Sequence, residues 1–219
     1  MNQLIASLSI SLFSWASPSA LPDACPVVEP VIEAFSVNRG VTVDHSKSRD
    51  ELARLMGQKP FAGFYMQGLT DVTYATAPRF TTESYELSDG RWCTVLTHVS
   101  VEFGLGAAAS VHIAREIPEG SCRYASVLAH EMQHVAISQR TVANASDDLK
   151  TRLEAEAHRL SPAFGKTKEA ASDLLKASLV KFINGVTGRH VARAEMENAA
   201  IDTRHSYELL SAQCSGSKF

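Results

Sequence analysis

No charged side chain occurs in the first twenty residues, no C-x-x-C pair joins any two of the four cysteines, and no long run of like charge appears anywhere in the chain. The last absence, with a formal net charge of only −3, excludes the electrostatic footprint of nucleic-acid binding and of a polybasic membrane contact. The missing C-x-x-C argues against a thiolate zinc site or a dithiol redox motif. The N-terminal apolar stretch is too short for a comfortable membrane span, so no stable span is expected. Internal repeats and low-complexity tracts are also absent.

The opening "MNQLIASLSISLFSWASPSA" is apolar or small throughout and runs into the polar "LPDAC". Residues 1–20 read as a secretory signal peptide with a small-residue cleavage region near Ala16 to Ala20, although no Lys or Arg precedes the apolar run. A buried N-terminal helix or a weak membrane anchor is the alternative. Export to the periplasm or the exterior agrees with the cysteines. Cys25, Cys93, Cys122 and Cys214 form an even set with three possible pairings in an oxidising compartment. Residues 21–219 then form a single domain, with 45% hydrophobic and 21% charged residues, enough for an ordinary core.

The N-terminal half reads as strands with one short helix. Residues 40–46, "GVTVDHS", alternate like a strand. Ser48 and Glu51 stand at capping-box spacing, so a helix is expected from about Arg49 to Gly57. Thr- and Tyr-rich segments follow and end at Asp89-Gly90, a turn signal. "RWCTVLTHVSVEFGLG" places Val95, Thr97, Val99, Val101 and Phe103 on one strand face, and "ASVHIAREIP" places Val111 and Ile113 on another. The two read as a hairpin. The C-terminal half reads as four helices: about 119–139, from Ser146 as a cap to before Pro162, about 167–184 stopped by Gly185, and 188–214. Asn144-Ala145-Ser146 also fits a glycosylation acceptor. The pattern is α+β: a mainly antiparallel N-terminal sheet followed by a helical segment.

"VLAHEMQHVAIS" raises the chemical question. It sets His130, Glu131 and His134 in an apolar run, although Glu is almost never fully buried unless paired. On an α-helix, positions i and i+4 share a face. His130 and His134 can therefore present two ring nitrogens to one ion, with Glu131 beside them but offset. This is the H-E-x-x-H arrangement of zinc peptidases. Composition alone yields it in roughly one such chain in fifty, and the alternative is a helix whose histidines are satisfied by hydrogen bonds. The other histidines, His45, His98, His112, His158 and His190, stand singly and read as ordinary surface or core residues. Leu174, Leu175, Leu179, Phe182 and Ile183 read as helix packing.

A catalytic zinc takes three protein ligands and leaves one position open. Glu154 lies twenty residues past His134, the spacing of thermolysin-like gluzincins, but without their Asn and Asp context. The last helix offers others. If Cys122 pairs with Cys214, leaving Cys25 for Cys93, the first and last helices of this half run antiparallel. Residues eight and twelve inward from Cys122 are His130 and His134, and those from Cys214 are Ser206 and Asp202. Equal rise per residue sets that segment opposite the ion. Asp202 is the preferred third ligand, with Glu154, His205 and Glu195 as the alternatives.

With "VTVDHSKSRDELARLM", "GLTDVTYAT", "VSVEF", "REIP", "HEMQH" and "AAIDTRHSYE", the chain from about 40 to 210 resembles a family of uncharacterised bacterial secreted zinc-dependent proteases. That family carries an aromatic-Asp pair followed by Thr and His on its late helix. Here Ile201-Asp202 stands in place of the pair, with His205 and Tyr207 after it. The resemblance implies a zincin-like metallopeptidase over 21–219, Zn2+ held by His130, His134 and Asp202, and a polypeptide substrate. The chemistry implied is amide hydrolysis by a zinc-activated water, with Glu131 as general base and His205 or Tyr207 as oxyanion donor. The strand at about 110–117 would offer an edge to an extended peptide. The alternative is an exported zinc-binding protein without catalysis that binds a partner or a cell-envelope component.

Overall fold

The structure of the protein, a computed structural model, describes residues 21–57 and 65–214. The expected signal peptide over 1–20 lies outside the described residues. In chain order the elements are β1 (Val31–Val37), β2 (Val41–Asp44), α1 (Arg49–Met56), β3 (Gly68–Asp71), β4 (Tyr74–Glu86), β5 (Trp92–Leu105), β6 (Ala109–Ile113), α2 (Cys122–Leu160), β7 (Ala163–Gly165), α3 (Lys168–Ile201) and α4 (Arg204–Gln213). The α+β class expected from the sequence is observed. Helix α1 starts and stops as its sequence dictates: Ser48 and Glu51 form the capping box, and Gly57 closes the helix with φ 67°.

The sheets differ from the expectation of one mainly antiparallel N-terminal sheet. One runs β1-β5-β4 with β7 also paired to β5, and the other runs β2-β6-β3. Strand β1 pairs β5 in parallel and β2 pairs β6 in parallel, while β3, β4 and β7 pair antiparallel. β7 enters only after α2. Alternation of apolar residues shows which face of a strand is buried. It carries no information on strand direction, which the crossovers decide. Likewise β5 and β6 are not a hairpin, because they belong to different sheets. β6 lies between β2 and β3 and so has no free edge. The edge beside α2 belongs to β3. The face pattern expected for β5 holds at Val99, Val101 and Phe103 but not throughout. Leu96 and Cys93 are also fully buried, and a register shift falls at Thr81/Thr82 on β4.

Four expected helices in the C-terminal half are instead two long ones and a short one. α2 runs unbroken for 39 residues and α3 for 34. Ser146 does not cap a helix. Its hydroxyl donates back to Val142 O, as Ser138 does to His134 O and Thr141 to Ile137 O. Hydroxyls that satisfy themselves this way do not stop a helix. Gly185 and Gly188 cost about 1 kcal/mol each inside α3, but Ile183 and Val186 are fully buried in the core there and hold the helix together. Among the expected packing residues, Leu175, Leu179 and Ile183 are buried, Phe182 packs against the core, and Leu174 is exposed. Leu179→Ala is expected to lower unfolding free energy by about 2–5 kcal/mol, and Leu174→Ala by less than about 0.5 kcal/mol, read by urea denaturation.

α3 descends antiparallel to α2, as cross-links between Asp202 and His130, Asn198 and His134, Glu197 and Arg140, and His190 and Asp148 record. Two disulfides form, Cys25–Cys93 and Cys122–Cys214, in keeping with an oxidising compartment. The second ties the start of α2 to the end of α4. α4 buries no residue of its own. The disulfide, with Arg123 bonded to Leu210 O and Ser211 Oγ, therefore sets its place. Among the described residues no helix is long and apolar enough to cross a membrane. The single histidines His45, His98, His112, His158 and His190 pair with Glu119, Glu33, Asp44, Glu29 and Asp148 respectively.

Candidate metal centre

His130, Glu131 and His134 sit in the first half of α2 and are 4%, 5% and 9% exposed. The apolar flanks bury this stretch, so three polar side chains need partners from elsewhere. Asp202 supplies one. It is the C-cap of α3, and the chain turns there before α4 begins at Arg204. Its Oδ1 lies 3.0 Å from His130 Nε2 and 3.2 Å from His134 Nε2. The imidazole rings are 5.1 Å apart and nearly perpendicular. The three ligating atoms all lie within 4.8 Å of one another, so this group can hold a metal ion.

The donor chemistry fits a cation. His134 Nδ1 lies 2.8 Å from Asn198 Oδ1. An amide oxygen only accepts, so Nδ1 carries the proton and, in the neutral ring, the Nε2 lone pair faces Asp202. Lone pairs of imidazole and carboxylate aimed at one point repel unless a proton or a cation lies between them. Two imidazole nitrogens and one carboxylate oxygen make a donor set for a borderline divalent ion.

Electrostatics follow from the same contacts. Burial acts to raise the pKa of Asp202, but the hydrogen bonds from His130, His134 and Tyr207 outweigh it, and its carboxyl lies well below the usual range. Burial acts to lower that of His134, but the bonds to Asp202 and Asn198 raise it overall. The Tyr207 hydroxyl donates to Asp202 Oδ1 at 2.8 Å, and burial, then the Asp202 carboxylate, push its pKa upward. Its ring lies 5.6 Å from that of His130.

Glu131 does not join the three-residue cluster. Its Oε2 accepts from Thr70 Oγ1 at 2.8 Å, and the same hydroxyl reaches Glu131 O at 3.1 Å. Burial pushes its pKa up, opposed by Thr70 and the two histidines. A Cβ on Gly68 would lie 2.8 Å from Glu131 Cγ and from Val127 Cγ1, closer than side chains pack. Glycine there is what lets β3 lie against the carboxylate. A cleft of about 290 Å³ opens here, lined by Gly68, Thr70, Glu131, His134 and Asp202 among others.

The remaining sequence candidates lie elsewhere. Because α2 is continuous, Glu154 stands about 30 Å along the helix from His134, exposed on its surface, and cannot ligate the same ion. Glu195 lines the cleft but is outside the cluster. His205 is exposed in the first turn of α4 and is also outside it. Sequence reasoning missed Asn198, Thr70 and Gly68. Asn198 was findable, since it precedes Asp202 by four residues and so shares its helical face. Nothing local marks Thr70 or Gly68, which approach Glu131 from 61 and 63 positions away in the chain. Comparison with known proteins returns no match: no family model, no curated protein and no solved structure matches this chain.

Proposed function

We propose that the protein is an exported zinc-dependent metallopeptidase, with residues 21–219 forming one zincin-like domain of the family that its motifs resemble. The observation that carries the reading is the convergence of His130, His134 and Asp202 on one point with a buried carboxylate, Glu131, beside it. Zinc is the cation assigned, because two imidazoles, one carboxylate and an open position are a catalytic zinc donor set. When bound, the ion lowers the pKa of a water molecule toward neutrality and polarises a carbonyl.

The chain's own residues do the rest. Thr70 holds Glu131 Oε2, which leaves Oε1 to take a proton from water and pass it to the leaving amine. Asn198 keeps His134 in the tautomer that ligates. Tyr207, whose hydroxyl reaches Asp202, is assigned as oxyanion donor ahead of the exposed His205. The β3 edge, in place of the strand at 110–117, is the surface on which an extended polypeptide can pair.

Mass-spectrometric cleavage of a random peptide library tests this. The expected result is hydrolysis that a chelator abolishes and one equivalent of zinc restores; cleavage indifferent to chelation would contradict it. Gly68→Ala forces Glu131 aside without touching a ligand. It is expected to lower kcat at least about tenfold, the scale on which small misplacements act, with zinc affinity unchanged by competition titration.

A further inference from the structure

We infer that the cleft beside the centre takes a basic side chain, lysine or arginine, of a polypeptide substrate, with Glu195 as the residue that selects it. The inference rests on the peptidase reading. Three carboxylates line the cleft, those of Glu131, Glu195 and Asp202, and no Lys or Arg lines it among the described residues. A divalent ion at the centre balances two of these charges. Glu195 is the one left over.

Its surroundings differ from those of its neighbour on α3. Glu197 is held by Arg140 and Arg193, whereas no hydrogen bond or ion pair joins Glu195 to any described residue. Glu195 precedes Asp202 by seven residues on one helix, two turns on the same face. That sets it about 10 Å along the axis from the ligand, within the span of a long side chain whose backbone lies at the centre. Met66, Leu69, Val72 and Val191 line the same cleft and suit the aliphatic stem that a lysine or arginine carries behind its charge. Tyr74 lines it too, and its buried hydroxyl oxygen has no hydrogen-bond partner. Leaving such a group unpaired is costly. An ammonium or guanidinium donor would satisfy it.

Two readouts test this on the full-length, zinc-loaded protein. First, kcat/KM is measured for peptide sets that differ only in one residue flanking the scissile bond. Lys and Arg are expected to exceed Leu at least tenfold. Glu195→Gln is expected to reduce that ratio to near one, and Glu195→Lys to turn the preference toward Glu. Second, calorimetry on the Glu131→Gln background measures binding of the same peptides without turnover. The Lys peptide is expected to bind at least tenfold tighter than the Leu peptide, and Glu195→Gln to erase the difference. Cleavage with a neutral or acidic preference, or a ratio unmoved by Glu195→Gln, overturns this inference and leaves the peptidase reading standing. A Glu195-dependent binding preference without any cleavage by the wild type supports the basic-side-chain site and overturns the peptidase reading. Neither cleavage nor preference overturns both.

Discussion

Glu131→Gln is expected to keep its zinc and to lose peptide hydrolysis by about 10²–10⁴-fold, the range a positioned general base supplies. The substitution preserves shape and still offers an oxygen to the Thr70 hydroxyl, whose 2.8 Å bond holds the native carboxylate. It removes only the ability to accept a proton. Because Glu131 is outside the His130–His134–Asp202 cluster, zinc stoichiometry should stay at one. Metal analysis alongside single-turnover hydrolysis separates the outcomes. Full activity in the variant would show that Glu131 is buried for some other reason. Loss of both zinc and activity would show that it belongs to the ligand set. A wild type that binds zinc and cleaves nothing would favour the non-catalytic binding protein.

The second large effect is on the ion. Asp202→Ala is expected to weaken zinc binding by more than about 100-fold, beyond the 10–100-fold typical of an outer-shell partner. Asn198→Ala, which removes such a partner from His134 Nδ1, should fall within that smaller range. Glu154→Ala should change nothing. Competition against a chromophoric chelator reads all three. The order Asp202, then Asn198, then Glu154 follows from geometry: one atom at the centre, one behind a ligand, and one about 30 Å away along α2. Thermal denaturation of the metal-free forms guards against misfolding. Asp202 sits at a helix end and is partly exposed, so its loss should leave the core intact.

The centre was more legible in the sequence than the sheets were. The i, i+4 pairing of His130 and His134 is a local property of a helix. Counting inward from a Cys122–Cys214 bridge led to Asp202, though with Ser206 beside it. The structure bends the chain at Asp202, so this one carboxylate meets both histidines and Ser206 instead takes part in the capping box of α4. Ser146 and Gly185 read as helix boundaries because both favour helix ends in isolation. Burial of the faces on either side overrode that preference. The parallel pairing of β1 with β5 and of β2 with β6 left no local trace, since partners 67 and 68 positions apart meet only through the path of the intervening chain. Thr70 and Gly68 were illegible for the same reason.

The most direct measurement is elemental analysis of the purified, undenatured protein after dialysis against trace metal, with X-ray absorption at the zinc edge. The account expects one zinc per chain with two imidazole nitrogens and carboxylate oxygen in its first shell, and a vacant site after His134→Ala. A chain that takes up no zinc, or takes up as much with His134 replaced, would contradict it.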